Sequence, residues 1–378
     1  MKPFKAVTKQ SKLVEVAKVF LRLGFVAFGG PVAHIAMMEQ EVVKKRRWMT
    51  DEHFLDLVGA TNLIPGPNST EMTMHCGYER AGRRGLVVAG LCFILPAVLI
   101  SAALAWAYQL YGTLPEVSAF IYGIKPAIIA VIVSTMISLA KKALKTITLG
   151  VIGVLSAGLT LAGINEIYVL FGAGAAGIVI HLLNAKPSTR SIIPLAFVVS
   201  STEISNWKIF FIFLKVGSIL YGSGYVLFAF LDAELVARGL LTRQELIDAI
   251  AVGQFTPGPV FSSATFIGWQ LGGAYGAIAA TVGIFLPSFL VVAFLNPLIP
   301  RLRKSKVMTA FLDTVNIAAV AIILAVVIEM GRETLLDWRT ILIALISFFI
   351  TFYFMKVNTA FIVIGGAVVG YVLSFIGG

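Results

Sequence analysis

Residues 85–110 read GLVVAGLCFILPAVLISAALAWAYQL, a run without one charged side chain. It is too long for an ordinary strand and, as a helix rising 1.5 Å per residue, long enough to cross about 30 Å of hydrocarbon. Seven further segments are of the same kind: 117–140, 146–163, 166–184, 276–299, 308–330, 339–355 and 357–376. The whole chain is 58% hydrophobic and only 13% charged, where a soluble domain carries roughly 25% charged residues. Disorder, collagen and disulfide scaffolds are excluded by the same balance. The apolar runs are continuous rather than alternating, which excludes a membrane β-barrel. The predicted class is an all-α polytopic membrane protein.

The formal charge is +11, from 30 Lys+Arg against 19 Asp+Glu. The basic residues sit between the apolar runs, where they set orientation in a bilayer rather than bind nucleic acid. Cys76 and Cys92 match no metal or redox spacing and read as packing residues, as do Met37, Met38, Met72 and Met74. Four scattered histidines form no ligand cluster, so neither metal nor cofactor is expected. The start, Met1-Lys2-Pro3-Phe4-Lys5, is basic, but no short apolar core with a small-residue cleavage site follows, and no signal peptide is predicted.

The chain repeats itself. FLRLGFVAFGGP (20–31) falls on FLKVGSILYGSG (213–224), TNLIPGPNST (61–70) on GQFTPGPVFS (253–262), and GLVVAGLCFILPAVLI (85–100) on GAIAATVGIFLPSFLV (276–291). SAFIYGIKPAIIAVIV (118–133) falls on TAFLDTVNIAAVAIIL (309–324), and the offset stays between 191 and 193. Two homologous halves are expected, 1–184 and 206–378, joined by a connection over 185–205.

Each half also holds two pairs of short apolar arms, broken in the middle. Arms 13–28 and 32–43 flank Gly29-Gly30-Pro31; arms 51–64 and 68–79 flank Pro65-Gly66-Pro67. The second half repeats this around Gly222-Ser223-Gly224 and Pro257-Gly258-Pro259, and Thr50 and Thr242 read as N-caps. Arms of this length cannot span, and bare backbone at membrane depth is tolerated only inside protein or beside a wet cavity. Re-entrant helical hairpins of a repeat-built transporter are therefore predicted.

Basic clusters in the first half (Lys44, Lys45, Arg46, Arg47; Arg80, Arg83, Arg84; Lys141, Lys142, Lys145) share one face if the hairpins are re-entrant. In the second half the bias moves to the loop IPRLRKSKV, so an inverted repeat is expected. Four crossings per half would leave the halves parallel; the one run available for a further crossing is IIPLAFVVSS (192–201).

Pro67 and Pro259 stand where helices begin, followed by Asn68, Ser69 and Thr70 in one half and Ser262 and Ser263 in the other. Such ends offer unpaired N–H groups and about half a positive charge, suited to an anion with several oxygens. Inverted halves would bring four such ends together near midplane, with Gly29, Gly30, Pro65, Gly66, Gly222, Ser223, Pro257 and Gly258 forming the bends. Buried cations add to this: Arg22 with its repeat mate Lys215, and Lys125, whose mate is Asn316. Glu71, Glu41 and Glu234 are candidates for coupling or for ion pairing. Glu41 matches Glu234 and Asp56 matches Asp248, while Ser263 stands where Glu71 has its mate.

The runs FGGP, WMTDEHFLDLVGATNLIPGPNSTEM and GLCFILPA, with FTPGPVFSSATFIG and GIFLPSF in the second half, resemble the chromate ion transporter (CHR) family over nearly the whole chain. The resemblance implies the two-domain form, a multi-pass inner-membrane protein that expels chromate and confers resistance, with sulfate as a chemical mimic. The family's motif positions carry onto Gly29, Gly30, Pro31, Pro65, Gly66, Pro67, Asn68, Thr70 and Glu71, and onto Pro257, Gly258 and Pro259. With the cell interior negative, each exported charge gains about 2.3 kcal/mol per 100 mV, so a leaving dianion gains roughly 4.6 kcal/mol. Export therefore needs no coupled ion, whereas sulfate uptake would. A sulfate or other oxyanion transporter or exchanger, a proton-coupled antiporter and a homodimeric assembly stay open. A membrane enzyme acting on a lipid-linked phosphate would need a nucleophile–base pair or metal cluster that is not visible, and a scaffold would have no use for broken helices.

Overall fold

The computed structural model describes residues 9–28, 30–112, 114–184, 205–221, 224, 226–295, 305–354 and 357–375. Gly29, Gly222, Ser223 and the run 192–201 lie outside the described residues. Among the described residues there are fourteen α-helices and no strand. The first half contains α1 (Lys9–Val26), α2 (Gly30–Met38, extended by a π-helical stretch Glu39–Lys45), α3 (Asp51–Thr61), α4 (Asn68–Tyr111), α5 (Pro115–Ala143), α6 (Ile147–Leu161) and α7 (Glu166–Asn184). The second half repeats the order: α8 (Asn206–Ile219), α9 (Val226–Leu231, extended by Asp232–Val236), α10 (Arg243–Phe255), α11 (Ser263–Leu295, after a 3-10 turn Val260–Ser262), α12 (Lys306–Thr334), α13 (Trp338–Tyr353) and α14 (Thr359–Ser374). Thr50 caps α3 by accepting from the His53 amide, and Thr242 opens α10 in a reciprocal capping box with Glu245. Among the described residues five stretches are long and apolar enough to cross a membrane, within α4, α5, α7, α11 and α12; α6, α13 and α14 are shorter apolar helices.

The long helices α4 and α11 each contain a reversal. Ala81 and Gly82 leave helical geometry (φ 66° at Gly82), as do Gly272 and Gly273 (φ 60° at Gly273). Residues eight apart in a straight helix are about 12 Å apart along the axis. Here a Cβ on Gly77 would collide with the Gly85 carbonyl, and one on Gly268 with the Gly276 carbonyl. Each helix is therefore a short arm folded back on a long one: 68–80 on 83–111, and 263–271 on 274–295. The left-handed turn needs glycine, and the touching backbones need two more.

The arms before each reversal close on one another. Glu15 near the start of α1 accepts from Trp48 Nε1 beyond the end of α2 (3.1 Å) and from Arg80 at the end of the 68–80 arm (2.6 Å). His53 at the start of α3 meets Glu79 at 3.3 Å. Both pairs, α1 with α2 and α3 with the 68–80 arm, thus begin and finish at one end of the molecule.

The two halves run antiparallel. Trp269 donates to Gln109 and Gln270 to the Ala105 carbonyl, so the end of the long arm of α4 meets α11 at its reversal, just before the long arm of α11 begins, while Gly90 packs on Phe289. Lys145, just past α5, pairs with Asp313 at the start of α12 (2.7 Å). Tyr122, near the start of α5 and the repeat mate of Asp313, donates to Asp337 just past α12, so the same two helices are tied at both ends. The halves also exchange partners: α6 and α7 pack on α12 of the second half, and α13 and α14 on α5 of the first. Gly123 lies against Gly366 and Gly370, and Gly177 against Thr314 and Ala310, the same contact seen twice.

Candidate functional site

Where each helix pair breaks, the exposed backbone must find partners. It finds them across the molecule. The Gly66 amide, in Pro65-Gly66-Pro67, donates to the Leu220 carbonyl at 2.8 Å, and the Gly258 amide, in Pro257-Gly258-Pro259, donates to the Ala27 carbonyl at 2.8 Å. Ala27 and Leu220 end α1 and α8 just before the other two breaks. Each P-G-P bend is therefore bonded to the residue just before the first break of the opposite half. Gly66 (φ 136°) and Gly258 (φ 93°) both hold the left-handed region that this approach requires.

From the first of these bends the 68–80 arm departs, and from its twin the turn at 260–262 followed by α11. Thr70 and Glu71 bond back to the Pro67 carbonyl and Ser262 to that of Pro259, so the amides of Asn68, Ser69, Val260 and Phe261 head their helices with no carbonyl before them. Ser69, Thr70, Glu71, Ser262 and Ser263 are all buried. Thr70 Oγ1 and Ser262 Oγ, which are repeat mates, have no hydrogen-bond partner in the protein. Asn68 donates to Asn62 at 2.8 Å, and the Ser263 hydroxyl to the Val260 carbonyl. Glu71 is fully enclosed, its carboxyl group against Gly66 and the Ser288 hydroxyl of the opposite half. Gly30 (φ 81°) starts α2, and His34 stands edge-on to Phe93 behind it.

The matched cations lie elsewhere. Arg22 pairs with Glu41, which also accepts from Lys45 (2.6 Å) and Arg46. Lys215 pairs with Glu234 at 2.6 Å, which takes Arg238 at 2.9 Å. These equivalent clusters clip α1 to α2 and α8 to α9. The Lys45 hydrogen bond, with Arg46 beside it, holds the Glu41 carboxyl below the ordinary carboxylate range. Lys125 donates to Gln244 (2.6 Å) and pairs with Asp248 (3.2 Å), both on α10, and Asp248 accepts from Tyr108 at 2.7 Å. Asn316, the mate of Lys125, is half-buried in α12.

Ser288, Tyr108, Gln244 and the carbonyls of Ala27 and Leu220 were not legible as site residues. A main-chain carbonyl leaves no mark in a sequence, and Tyr108 has no charge or repeat partner to single it out. Asp248 did carry a signal, its register with Asp56. Among the described residues no group of His, Cys, Asp and Glu is arranged to hold a metal ion.

The sequence profile of the chromate transporter family matches the chain twice, over residues 14–178 and 207–371. A probable chromate transport protein of Synechococcus elongatus is 32% identical over 89% of this chain and 88% of its own length. The chromate transport protein of Cupriavidus metallidurans is 30% identical over 95% of this chain and 93% of its own. An uncharacterized transporter of Methanocaldococcus jannaschii is 27% identical over 99% of both. No solved structure matches the chain. The family profile thus covers both halves of the chain, the relatives align with it over most of their own length, and the protein belongs to the chromate transporter family.

Proposed function

We propose that the protein exports chromate, and that the four breaks form one site for this tetrahedral dianion. The observation that carries the reading is the reciprocal pair of hydrogen bonds, Gly66 to Leu220 and Gly258 to Ala27. They tie each helix start to the opposite half, which supports one point shared by the two. The leading amides of each, with the unpartnered hydroxyls of Thr70 and Ser262, supply fixed donors for oxygens, and each helix start adds partial positive charge. A site of neutral donors holds a dianion without trapping it, which suits turnover.

Sidedness follows from charge. The end carrying Arg46, Arg80, Arg83, Arg84 and Lys145 is the cytoplasmic one by the positive-inside rule. At the other end Arg238, Arg243 and Arg339 stand among Asp232, Glu234, Glu329, Glu333 and Asp337. In a bilayer the arm pairs are then re-entrant, entering from the cytoplasm in the first half and from outside in the second, in an inner membrane. The repeats 1–184 and 206–378 are the two units, with 185–205 between them. Export down the membrane potential gains roughly 4.6 kcal/mol per dianion at 100 mV, between 10³ and 10⁴ in concentration ratio. The chemistry is binding and release, with no bond made or broken.

The test is uptake of labelled chromate into everted membrane vesicles energised only by potential. Accumulation that sulfate competes for, and that Thr70→Val with Ser262→Ala weakens, is the expected result. Uptake that ignores the potential, or is untouched by both substitutions, contradicts the reading.

A further inference from the structure

A cavity of about 450 Å³ lies between the end of α4, α5, α10 and the end of α12. Gly112 and Ser118 of the α4–α5 turn and Asp337 of the α12–α13 turn line its mouth, so it opens at the face opposite the basic clusters. Lys125 stands in its wall with its side chain 17% exposed, and its contacts there are Asp248 and Gln244. Asp248 is nearly enclosed, and Tyr108 steadies its second oxygen.

Two facts make this more than a structural ion pair. Asp248 belongs to α10, an arm of the second hairpin, whereas Lys125 belongs to α5, which packs with α12 to α14. And the pair has no counterpart in the first half: Lys125 is replaced by Asn316, and Asp56, the mate of Asp248, is exposed on α3. When α10 takes the position that α3 now has, Lys125 parts from Asp248 and faces the cavity as the one cation of its lining, with Glu333 and Asp337 the remaining carboxylates there. A buried charge left alone is costly, so an anion in the cavity is drawn to it.

We propose that the outer cavity is a second oxyanion site, on Lys125, and that Asp248 is a tethered competitor that displaces the anion when α10 closes. A carboxylate fixed to the same molecule competes at an effective concentration that free anions do not reach. Lys125 therefore receives the anion from the central site and Asp248 evicts it to the outside, which gives the exit step its direction. The inference rests on the reading of the central site as an oxyanion site.

The test is chromate uptake into everted vesicles, whose lumen is the outer face, with chromate preloaded at graded concentrations. In Asp248→Asn the competitor is gone, and lumenal chromate is expected to inhibit at about tenfold lower concentration than in the unaltered protein. Tyr108→Phe, which only loosens Asp248, is expected to shift inhibition in the same direction by less, and keeps the test alive should Asp248→Asn fail to insert. Adding Lys125→Gln to Asp248→Asn abolishes the enhanced inhibition. A Lys125→Asp/Asp248→Lys exchange would restore a merely structural pair but not this site, so it is expected to insert and transport poorly. Unchanged lumenal inhibition in both single variants, or full transport by the exchanged pair, overturns the proposal. Absence of chromate uptake by the unaltered chain would instead overturn the reading it rests on.

Discussion

The two hairpin pairs share a fold and differ in where they sit. In the second half every residue of α9 is buried, and α10 packs against α5 and α14. In the first half α2 and α3 make no comparable contact with α12 and α7, and their apolar residues form a core of their own around Phe20, Met38, Phe54 and Met72. The second pair instead merges into the large core that runs through the rest of the molecule. Leu55 on α3 is 63% exposed, while its mate Ile247 on α10 is 0% exposed. Groove-lining residues tell the same story: a cavity of about 350 Å³ opens beside α1 and α2, between Arg22, Met37 and Lys45. One hairpin is docked and the other withdrawn, about a centre that both halves share.

Features internal to a hairpin should behave alike in both halves, and features of docking should not. The largest effect is expected at the reversals. Gly77→Leu and Gly268→Leu each force a side chain into the opposing backbone, and each is expected to cost about 3 kcal/mol or more. Thermal unfolding of the purified protein, or loss of the folded peak in size-exclusion chromatography, checks this; a tolerant Gly77 would mean that the 68–80 arm does not turn back. Next come the docking surfaces. Ile247→Ala is expected to cost about 2–5 kcal/mol and Leu55→Ala to stay within about 0.5 kcal/mol. Equal losses in the same assay would erase the asymmetry.

Thr70→Val and Ser262→Ala each remove a hydroxyl without adding bulk and stand at equivalent positions. Each is expected to leave folding intact and weaken chromate binding about tenfold, the worth of one hydrogen bond to a charged ligand. Half-saturation of vesicle uptake measures it, and an effect from one alone would mean that one half binds. The smallest effect belongs to the ionic clips. Arg22→Gln leaves Glu41 with Lys45 and Arg46, and Lys215→Gln leaves the more deeply buried Glu234 with Arg238 alone. Losses of about 0.5–1 kcal/mol are expected, larger for Lys215, in thermal unfolding.

The repeat, the broken arms, the caps at Thr50 and Thr242 and the long apolar helices could all be read in the sequence, because glycine, proline and hydrophobic length each leave a local trace. The P-G-P bends were legible as helix starts; that each one bonds the opposite half was not, since the acceptors are the main-chain carbonyls of Ala27 and Leu220. Register pairs Arg22 with Lys215 and Glu41 with Glu234, yet does not say that each cation meets its own half's acid. The exchange of α6 and α7 onto α12 is invisible for a similar reason: Gly123, Gly177 and Gly370 advertise close packing but not the partner. The docked and withdrawn hairpins are least legible of all. Nearly equivalent sequences adopt both positions, and only the unmatched Lys125, against Asn316, hints at which face is latched.

The account turns on one shared anion between the two helix starts, and the most direct measurement is a cryo-electron microscopy map of the protein in a lipid disc with chromate. Density for the ion within about 2.7–3.2 Å of the Asn68 and Ser69 amides, the Thr70 hydroxyl and their second-half equivalents is the expected result. A map with the ion bound elsewhere and apolar side chains filling the space between Pro67 and Pro259 would contradict it.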